Sequence, residues 1–261
     1  MLKAIIMGLV EGASEFLPIS STGHLIIAGD LLDFLSKEKR DVFEVIIQLG
    51  AILAVCWEYR ERLYTTLLHL RDKASARGFF VNLAIAFFPA ALVGLMFHRA
   101  IKTYLFSPMT VAYALIVGGV AILLIEKHMR HGNTLSVEEM TKTQALKIGL
   151  AQTLSLIPGV SRAGATILGG VAAGLNRQTA TEFSFFLAIP IMFAASGFDL
   201  IKSRDLLSMA DFPLFAVGLA TAFLSALLVI RVLIRYVANH DFTVFAWYRI
   251  AFGLAVLAYY W

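Results

Sequence analysis

The chain has 261 residues, 59% of them hydrophobic and 15% charged, with a net charge of +4. Soluble domains carry about 45–50% apolar and about 25% charged residues, so an ordinary soluble domain is excluded. The single cysteine, Cys56, excludes a disulfide framework, and no basic run interleaved with aromatics points to nucleic acid.

The N-terminal apolar run follows Lys3 and is interrupted by Glu11. No small-residue cleavage site follows, so it reads as part of the mature fold rather than as a signal peptide. It leads into a first polar motif, EGASEFLPISSTGH at 11–24. Glu11 and Glu15 stand four apart and share one face of a helix. Pro18 ends that helix, because it lacks an N–H and crowds the preceding turn. Ser20, Ser21, Thr22 and Gly23 supply a turn and an N-cap, and a second helix is predicted to start near Gly23. Its unpaired N–H groups and positive dipole end make an anion site. Two carboxylates, two serines and His24 thus converge on one helix start. A solvated loop is the alternative reading, but the segment has apolar residues on both sides, and ionisable groups at membrane depth are costly and by default functional.

Apolar blocks follow at 42–57, 79–97 and 108–125. Each is near the roughly 20 residues that cross a ~30 Å hydrocarbon core. Glu44 in the first block, like Glu182 later, either positions a polar hairpin or sits where a helix start favours a carboxylate. Gln48 reads as a packing hydrogen bond. The stretch 126–147 is the most polar in the chain.

A second motif, QTLSLIPGVSRAGAT at 152–166, repeats the design of the first: helix, proline break, serine, small residues, new helix. Its charged group is Arg162, a planar donor suited to bidentate phosphate contact. The alternative is an arginine at a solvated helix start. Gly170 and Gly174 are compatible with tight helix packing. Blocks at 183–198, 212–230 and 242–261 follow. Arg249, inside the last block, must face the protein interior or a water-filled cavity, or snorkel. His98, His128, His131 and His240 read as solvated residues of helix ends or loops.

The halves are weakly self-similar. GLVE at 8–11 matches GLAQ at 149–152, and PISSTG at 18–23 matches PGVSRAG at 158–164 with a one-residue shift. Glu44 matches Glu182, and Pro89 and Gly94 match Pro213 and Gly218 in spacing. The expectation is one all-α polytopic membrane domain over 1–261 built of two inverted-topology repeats, about 1–126 and 145–261. Each is a re-entrant helix hairpin plus three transmembrane helices. Basic residues favour the side holding Arg60, Arg62, Arg71, Arg130, Arg177 and Arg231 over the side holding Lys3, Lys39, Lys102 and Arg204. The positive-inside rule then makes the former cytoplasmic and turns both termini outward.

The two motifs, with residues 43–53 and 182–190, make the chain resemble the bacterial undecaprenyl-diphosphate phosphatase (bacitracin-resistance) family across essentially its whole length. The resemblance implies removal of the terminal phosphate from undecaprenyl diphosphate, which regenerates a lipid carrier for cell-wall precursors in the bacterial inner membrane. It also implies a divalent cation and roles for Glu11, Glu15, Ser21, His24, Ser161, Arg162 and Thr166. Ala163 stands where some relatives carry another serine, which argues against a nucleophile there. The phosphatidic-acid-phosphatase type also uses Ser-Gly-His and Ser-Arg motifs, but its histidine six residues after the arginine is here Leu168, so a histidine-nucleophile mechanism of that type is not supported.

The resulting expectation is a hydrolase with Ser21 as nucleophile, His24 as its base and Arg162 as the clamp on the transferring group. An activated water, with Ser21 only binding phosphate, and His24 as nucleophile are the other routes. Glu11 and Glu15 are expected to hold Mg²⁺ or Ca²⁺, since oxygen-only ligation favours hard cations. Ser20, Thr22, Gly23, Ser161 and Thr166 are expected to bind the substrate. The expected partners are a polyprenyl diphosphate and the bilayer, with a homodimer left open. The active site is expected to face the outer side. The rival function is a transporter or flippase of lipid phosphate or a small anion, which needs anion donors but no nucleophile beside a base.

Overall fold

The computed structural model describes residues 1–128, 132–206 and 208–261, without the side chains of His98, Lys102 and Arg204. The expectations for His98, Lys102, Arg130, His131 and Arg204 therefore lie outside the described residues. The described chain is helical: α1 (Leu2–Ser14), α2 (Ser21–Leu31), α3 (Lys37–Glu58), α4 (Arg60–Leu68), α5 (Ala74–Tyr104), α6 (Pro108–His128), α7 (Lys142–Gln152), α8 (Arg162–Ala172), α9 (Arg177–Lys202), α10 (Phe212–Val237) and α11 (Thr243–Tyr260).

Five segments are long and apolar enough to cross a membrane: Ala74–Phe97, Pro108–His128, Arg177–Lys202, Met209–Val237 and Thr243–Tyr260. A sixth results if α3 is taken with α4, from which it bends by 65°. The charged start of α3, Lys37 to Asp41, dilutes its apolar character. Between the first two apolar blocks, residues 60–68 fold as α4, a helix with no buried residue. Leu92, Val117, Leu224 and Trp247 project from the long helices. Such large exposed apolar faces are costly in water and at home in hydrocarbon. The chain is a multi-pass membrane protein.

The remaining helices are too short to span. α1 has 13 residues, and α2, α7 and α8 have 11 each. At 1.5 Å per residue they reach roughly 16–20 Å. They form two hairpins whose outer ends lie together. Lys3 Nζ donates to the Asp33 carbonyl at 3.1 Å, tying the start of α1 to the chain just beyond α2. Gln144 Nε2 donates to the Ala173 carbonyl at 3.2 Å, tying the start of α7 to the end of α8.

Polar contacts define two ends of the bundle. At one, Lys39 pairs with Asp211, and Asp30 accepts from Arg40 and Tyr260. At the other, Arg62 bridges Glu138 and Glu182, Arg231 pairs with Glu58, and Arg177 pairs with Glu126. The α1–α2 hairpin opens at the first end and the α7–α8 hairpin at the second. Their proline breaks meet in the interior, where Ser161 Oγ lies 3.5 Å from the Leu17 carbonyl.

The two hairpins each lie along a long helix, α1 along α10 and α7 along α5. Close approach requires small residues. A Cβ at Gly12 would fall 2.0 Å from Ser225 Oγ and 2.4 Å from the Ala222 carbonyl. Gly12→Ala is therefore expected to push α1 off α10 and cost about 1–3 kcal/mol. A thermal midpoint in detergent equal to wild type would contradict this.

Three details depart from expectation. Pro89 lies deep inside α5, whereas Pro213 occupies the first turn of α10, so their matched spacing does not reflect matched positions. Gly174 follows α8 in a left-handed turn (φ +96°) instead of packing in a helix, while Gly170 does pack, against Ala180. The second helix starts at Ser21, not near Gly23, because Ser20 takes φ +71° and turns the chain sharply after Pro18.

Candidate active site

The first hairpin delivers Glu11 on the inner face of α1 and Glu15 at its end, where Glu15 N bonds the Glu11 carbonyl at 2.9 Å. The chain then turns through Pro18 to Ser20, the N-cap of α2, whose hydroxyl makes no capping bond. The second hairpin turns through Pro158 to Ser161, the N-cap of α8, which accepts from Gly164 N at 3.0 Å. Ser161 has φ +74°, almost the value of Ser20. Each such non-glycine residue costs about 1–3 kcal/mol, and this conformation recurs at the start of both inner helices.

Between these helix starts lies a cavity of about 180 Å³, lined by Glu15, Ser20, Ser21, Thr22, Ser161 and Arg162, with Gln48 and Ser155 on its polar wall and Ile191, Met192 and Ala195 on its apolar one. Ser21 Oγ donates to Glu15 Oε2 at 2.5 Å. Arg162 places Nε and Nη2 each 3.3 Å from Glu15 Oε1. Its Nη1 donates to the Ser184 carbonyl at 3.0 Å, and its guanidinium lies 5.8 Å from the centre of the Phe16 ring. Thr166 and Ser184 share a hydrogen bond of 2.6 Å. Glu15 thus joins the two motifs: one oxygen takes the serine, the other the arginine.

Several expected site residues lie elsewhere. His24 does not meet Ser21. Its Nδ1 bonds the Ser20 carbonyl at 2.7 Å, its Nε2 bonds Tyr248 Oη at 2.6 Å, and its ring stacks on Phe252 at 4.2 Å. Both ring nitrogens are occupied, one by Ser20 and the other by Tyr248 of α11, and His24 is not among the residues that line the cavity. Gly23 turns toward α6, where a Cβ would touch Val111 at 3.1 Å. Thr166 is fully buried behind Arg162 and spends its hydroxyl on Ser184 and on backbone carbonyls. Glu182 pairs with Arg62 at the far end of the bundle. Gln48 accepts from Ser196 Oγ at 3.3 Å, the packing bond expected of it, yet also faces the cavity. His128 and His240 bond carbonyls one helical turn back.

Two contributors escape motif reading. Ser184 holds Arg162 from within an apolar block, and Tyr248 holds His24 from α11. A polar residue in an apolar run was the only signal available for either.

Glu11 bears on the expected cation. It is 1% exposed, and neither carboxylate oxygen has a hydrogen-bond partner among the described residues. A buried carboxylate without a partner is costly, and a cation beside it supplies what is missing. Among the described residues no third carboxylate, histidine or cysteine joins Glu11 and Glu15 in a metal-sized group. The donors present are hard oxygens, which fit Mg²⁺ or Ca²⁺ completed by hydroxyl, water or phosphate oxygens.

Fold and cavity together define a polytopic helical membrane protein with a buried polar site set between two helix starts. A family model described as bacitracin resistance protein BacA matches residues 4–255, so the chain belongs to that family. An undecaprenyl-diphosphatase of Methylobacillus flagellatus is 60% identical, covering 100% of this chain and 98% of the relative. A protein named undecaprenyl-diphosphatase 2 from Rhodospirillum rubrum is 60% identical over 100% of this chain and 95% of its own length. The undecaprenyl-diphosphatase of Nitrosomonas europaea is 57% identical, covering 98% of this chain and 93% of the relative.

Proposed function

We propose that this protein hydrolyses undecaprenyl diphosphate to the monophosphate and inorganic phosphate, recycling the lipid carrier used in cell-wall synthesis. The observation that carries the reading is the convergence of Ser21, Glu15 and Arg162 on one cavity between two helix N-termini. The diphosphate sits in that cavity with the polyprenyl chain leaving across its apolar wall.

In the proposed reaction Ser21 Oγ forms a bond to the terminal phosphorus as the bond from that phosphorus to the bridging oxygen breaks. The lipid monophosphate leaves, and water then hydrolyses the phosphoserine. A serine hydroxyl is a weak nucleophile without an adjacent base. The geometry favours Glu15, at 2.5 Å, as proton acceptor over His24, which is engaged with Ser20 and Tyr248. His24 holds the first turn of α2 against α11. Arg162 and the two helix starts face the charge on the equatorial oxygens; phosphoryl transfer depends mainly on such positioning and electrostatics. Glu11 and Glu15 would hold a divalent cation, which would offset charge on the diphosphate oxygens. Phosphate release from a polyprenyl diphosphate by purified protein in detergent, with no sealed compartment, tests the hydrolase reading. No release there would leave the transporter reading in its place.

Glu11→Gln is expected to raise the cation concentration needed for half-maximal turnover, because the cation loses a carboxylate. A metal titration superimposable on wild type would remove Glu11 from the cation site.

We read the two hairpins as re-entrant and the halves as inverted repeats, with both termini and the mouth of the cavity on the outer side of the bacterial plasma membrane. The hairpins opening at opposite ends support the inverted arrangement, and the bias of basic residues supports the orientation. Single cysteines at Lys3 and Asn133 are expected to label from opposite sides of the membrane; labelling from one side only would contradict the inverted arrangement.

A further inference from the structure

Arg249 lies in the middle of α11 and is 1% exposed. Among the described residues no carboxylate pairs with it. Its guanidinium gives all five N–H groups to backbone carbonyls instead. Nη1 donates to Pro18 at 3.0 Å and to Val160 at 2.9 Å. Nη2 donates to Gly159 at 3.0 Å and to Ala114 at 3.0 Å, and Nε donates to Leu115 at 3.3 Å.

Three of these carbonyls belong to the breaks of the two hairpins. Pro18 stands two residues before Ser20, and Gly159 and Val160 immediately precede Ser161. The other two belong to α6. One planar group therefore joins both helix starts that flank the cavity and fixes them to a third, long helix. Backbone carbonyls at such breaks lie outside regular helical bonding and are costly to bury unpaired. A lysine could not replace this arrangement, because its three donors radiate from one point.

α6 is shaped to receive the guanidinium. A Cβ at Gly118 would fall 2.0 Å from Arg249 Nη2 and 2.6 Å from Cζ. Gly253 lies on the same seam between α6 and α11, but the nearest atoms to a Cβ there would be Ile116 at 2.7 Å, the Ala112 carbonyl at 2.9 Å and Leu115 at 3.1 Å rather than the guanidinium.

We propose that Arg249 is a positioning residue which sets the separation and angle of the α2 and α8 N-termini across the cavity, by binding the carbonyls of both proline breaks at once. The inference rests on the reading of that cavity as the reaction site. It predicts that displacing the guanidinium harms turnover far beyond its effect on stability, since misplacing reacting groups by about 1 Å can cost on the order of 10²-fold.

The test compares Arg249→Lys, Gly118→Ala and Gly253→Ala, purified in detergent, by thermal midpoint and by kcat and KM for a polyprenyl diphosphate. Gly118→Ala evicts the guanidinium while leaving Arg249 and every cavity residue unchanged; Gly253→Ala strains the same helix seam and reaches only Leu115 among the residues that bind Arg249, leaving the carbonyls of both proline breaks untouched. The expected result is a fall in kcat on the order of 10²-fold in Arg249→Lys and Gly118→Ala, with KM within about threefold of wild type. Gly253→Ala is expected to lower the midpoint comparably and keep kcat within about threefold. The double variant Arg249→Lys/Gly118→Ala should be no worse than the poorer single one, because both remove the same bonds. Equal kcat losses in Gly118→Ala and Gly253→Ala at equal loss of midpoint would reduce Arg249 to a packing role and overturn the proposal. So would wild-type turnover in Arg249→Lys. If Arg249→Lys does not fold, the two glycine variants still decide. Arg162→Ala in the same assay separates the premises: full turnover there removes the cavity as reaction site, whereas its loss beside an active Gly118→Ala removes only the role of Arg249.

Discussion

Arg162→Ala is expected to lower turnover on the order of 10²–10³-fold, the range found when a preorganised donor to transition-state charge is removed. Arg162 is held from three directions, by Glu15, by the Ser184 carbonyl and by the Phe16 ring. Its side chain is already ordered before substrate arrives. The change also strands Glu15, because taking one partner from a buried ion pair leaves an uncompensated charge. Arg162→Lys is expected to recover little of the lost rate, since an ammonium cannot reproduce a fork that reaches Glu15 and Ser184 together. Turnover of Arg162→Ala within a few-fold of wild type, at an unchanged thermal midpoint, would contradict this role.

Ser21→Ala and Glu15→Gln are each expected to lower turnover on the order of 10²–10⁴-fold, the usual range for losing a positioned proton acceptor or the group it serves. The two act as one unit through the 2.5 Å bond between Ser21 Oγ and Glu15 Oε2. The double variant should therefore be hardly worse than either single one. Additive losses would mean independent tasks, with Glu15 serving only Arg162 and the cation. Tyr248→Phe probes the remaining assignment. If His24 holds the start of α2, loss of its bond to Tyr248 reproduces part of the effect of His24→Ala. If His24 is itself the base, the double variant Ser21→Ala/His24→Ala is hardly worse than Ser21→Ala alone, because the two then act as one unit.

The polar motifs were legible because they interrupt apolar sequence. Glu11, Glu15, Ser21 and Arg162 stand out against their flanks, and the prolines beside them mark where two short helices must break. The crossings were legible from length, except that the charged start of α3 and the amphipathic α4 blur one of them. His24 shows the limit of spacing. Three residues from Ser21, it falls within one helical turn, and a nucleophile–base pair follows on paper. Its actual partner, Tyr248, is 224 residues away, and no local pattern contains it. Arg249 shows a second limit. Its partners are backbone carbonyls, which have no side-chain signature, so the sequence marks a buried charge without saying what it holds. Ser184 was hidden for a similar reason, being one hydroxyl in an apolar helix whose role depends on the rotation of α9 toward α8.

The assignment of Ser21 as nucleophile is open to one direct measurement. Enzyme is mixed with polyprenyl diphosphate labelled at the terminal phosphate, quenched in acid within a turnover, and digested to locate the label. Acid-stable label on Ser21, absent from Ser21→Ala and lost on the timescale of phosphate release, is the predicted result. Unlabelled wild-type enzyme, together with substantial phosphate release by Ser21→Ala, would contradict it and place an activated water at the phosphorus instead.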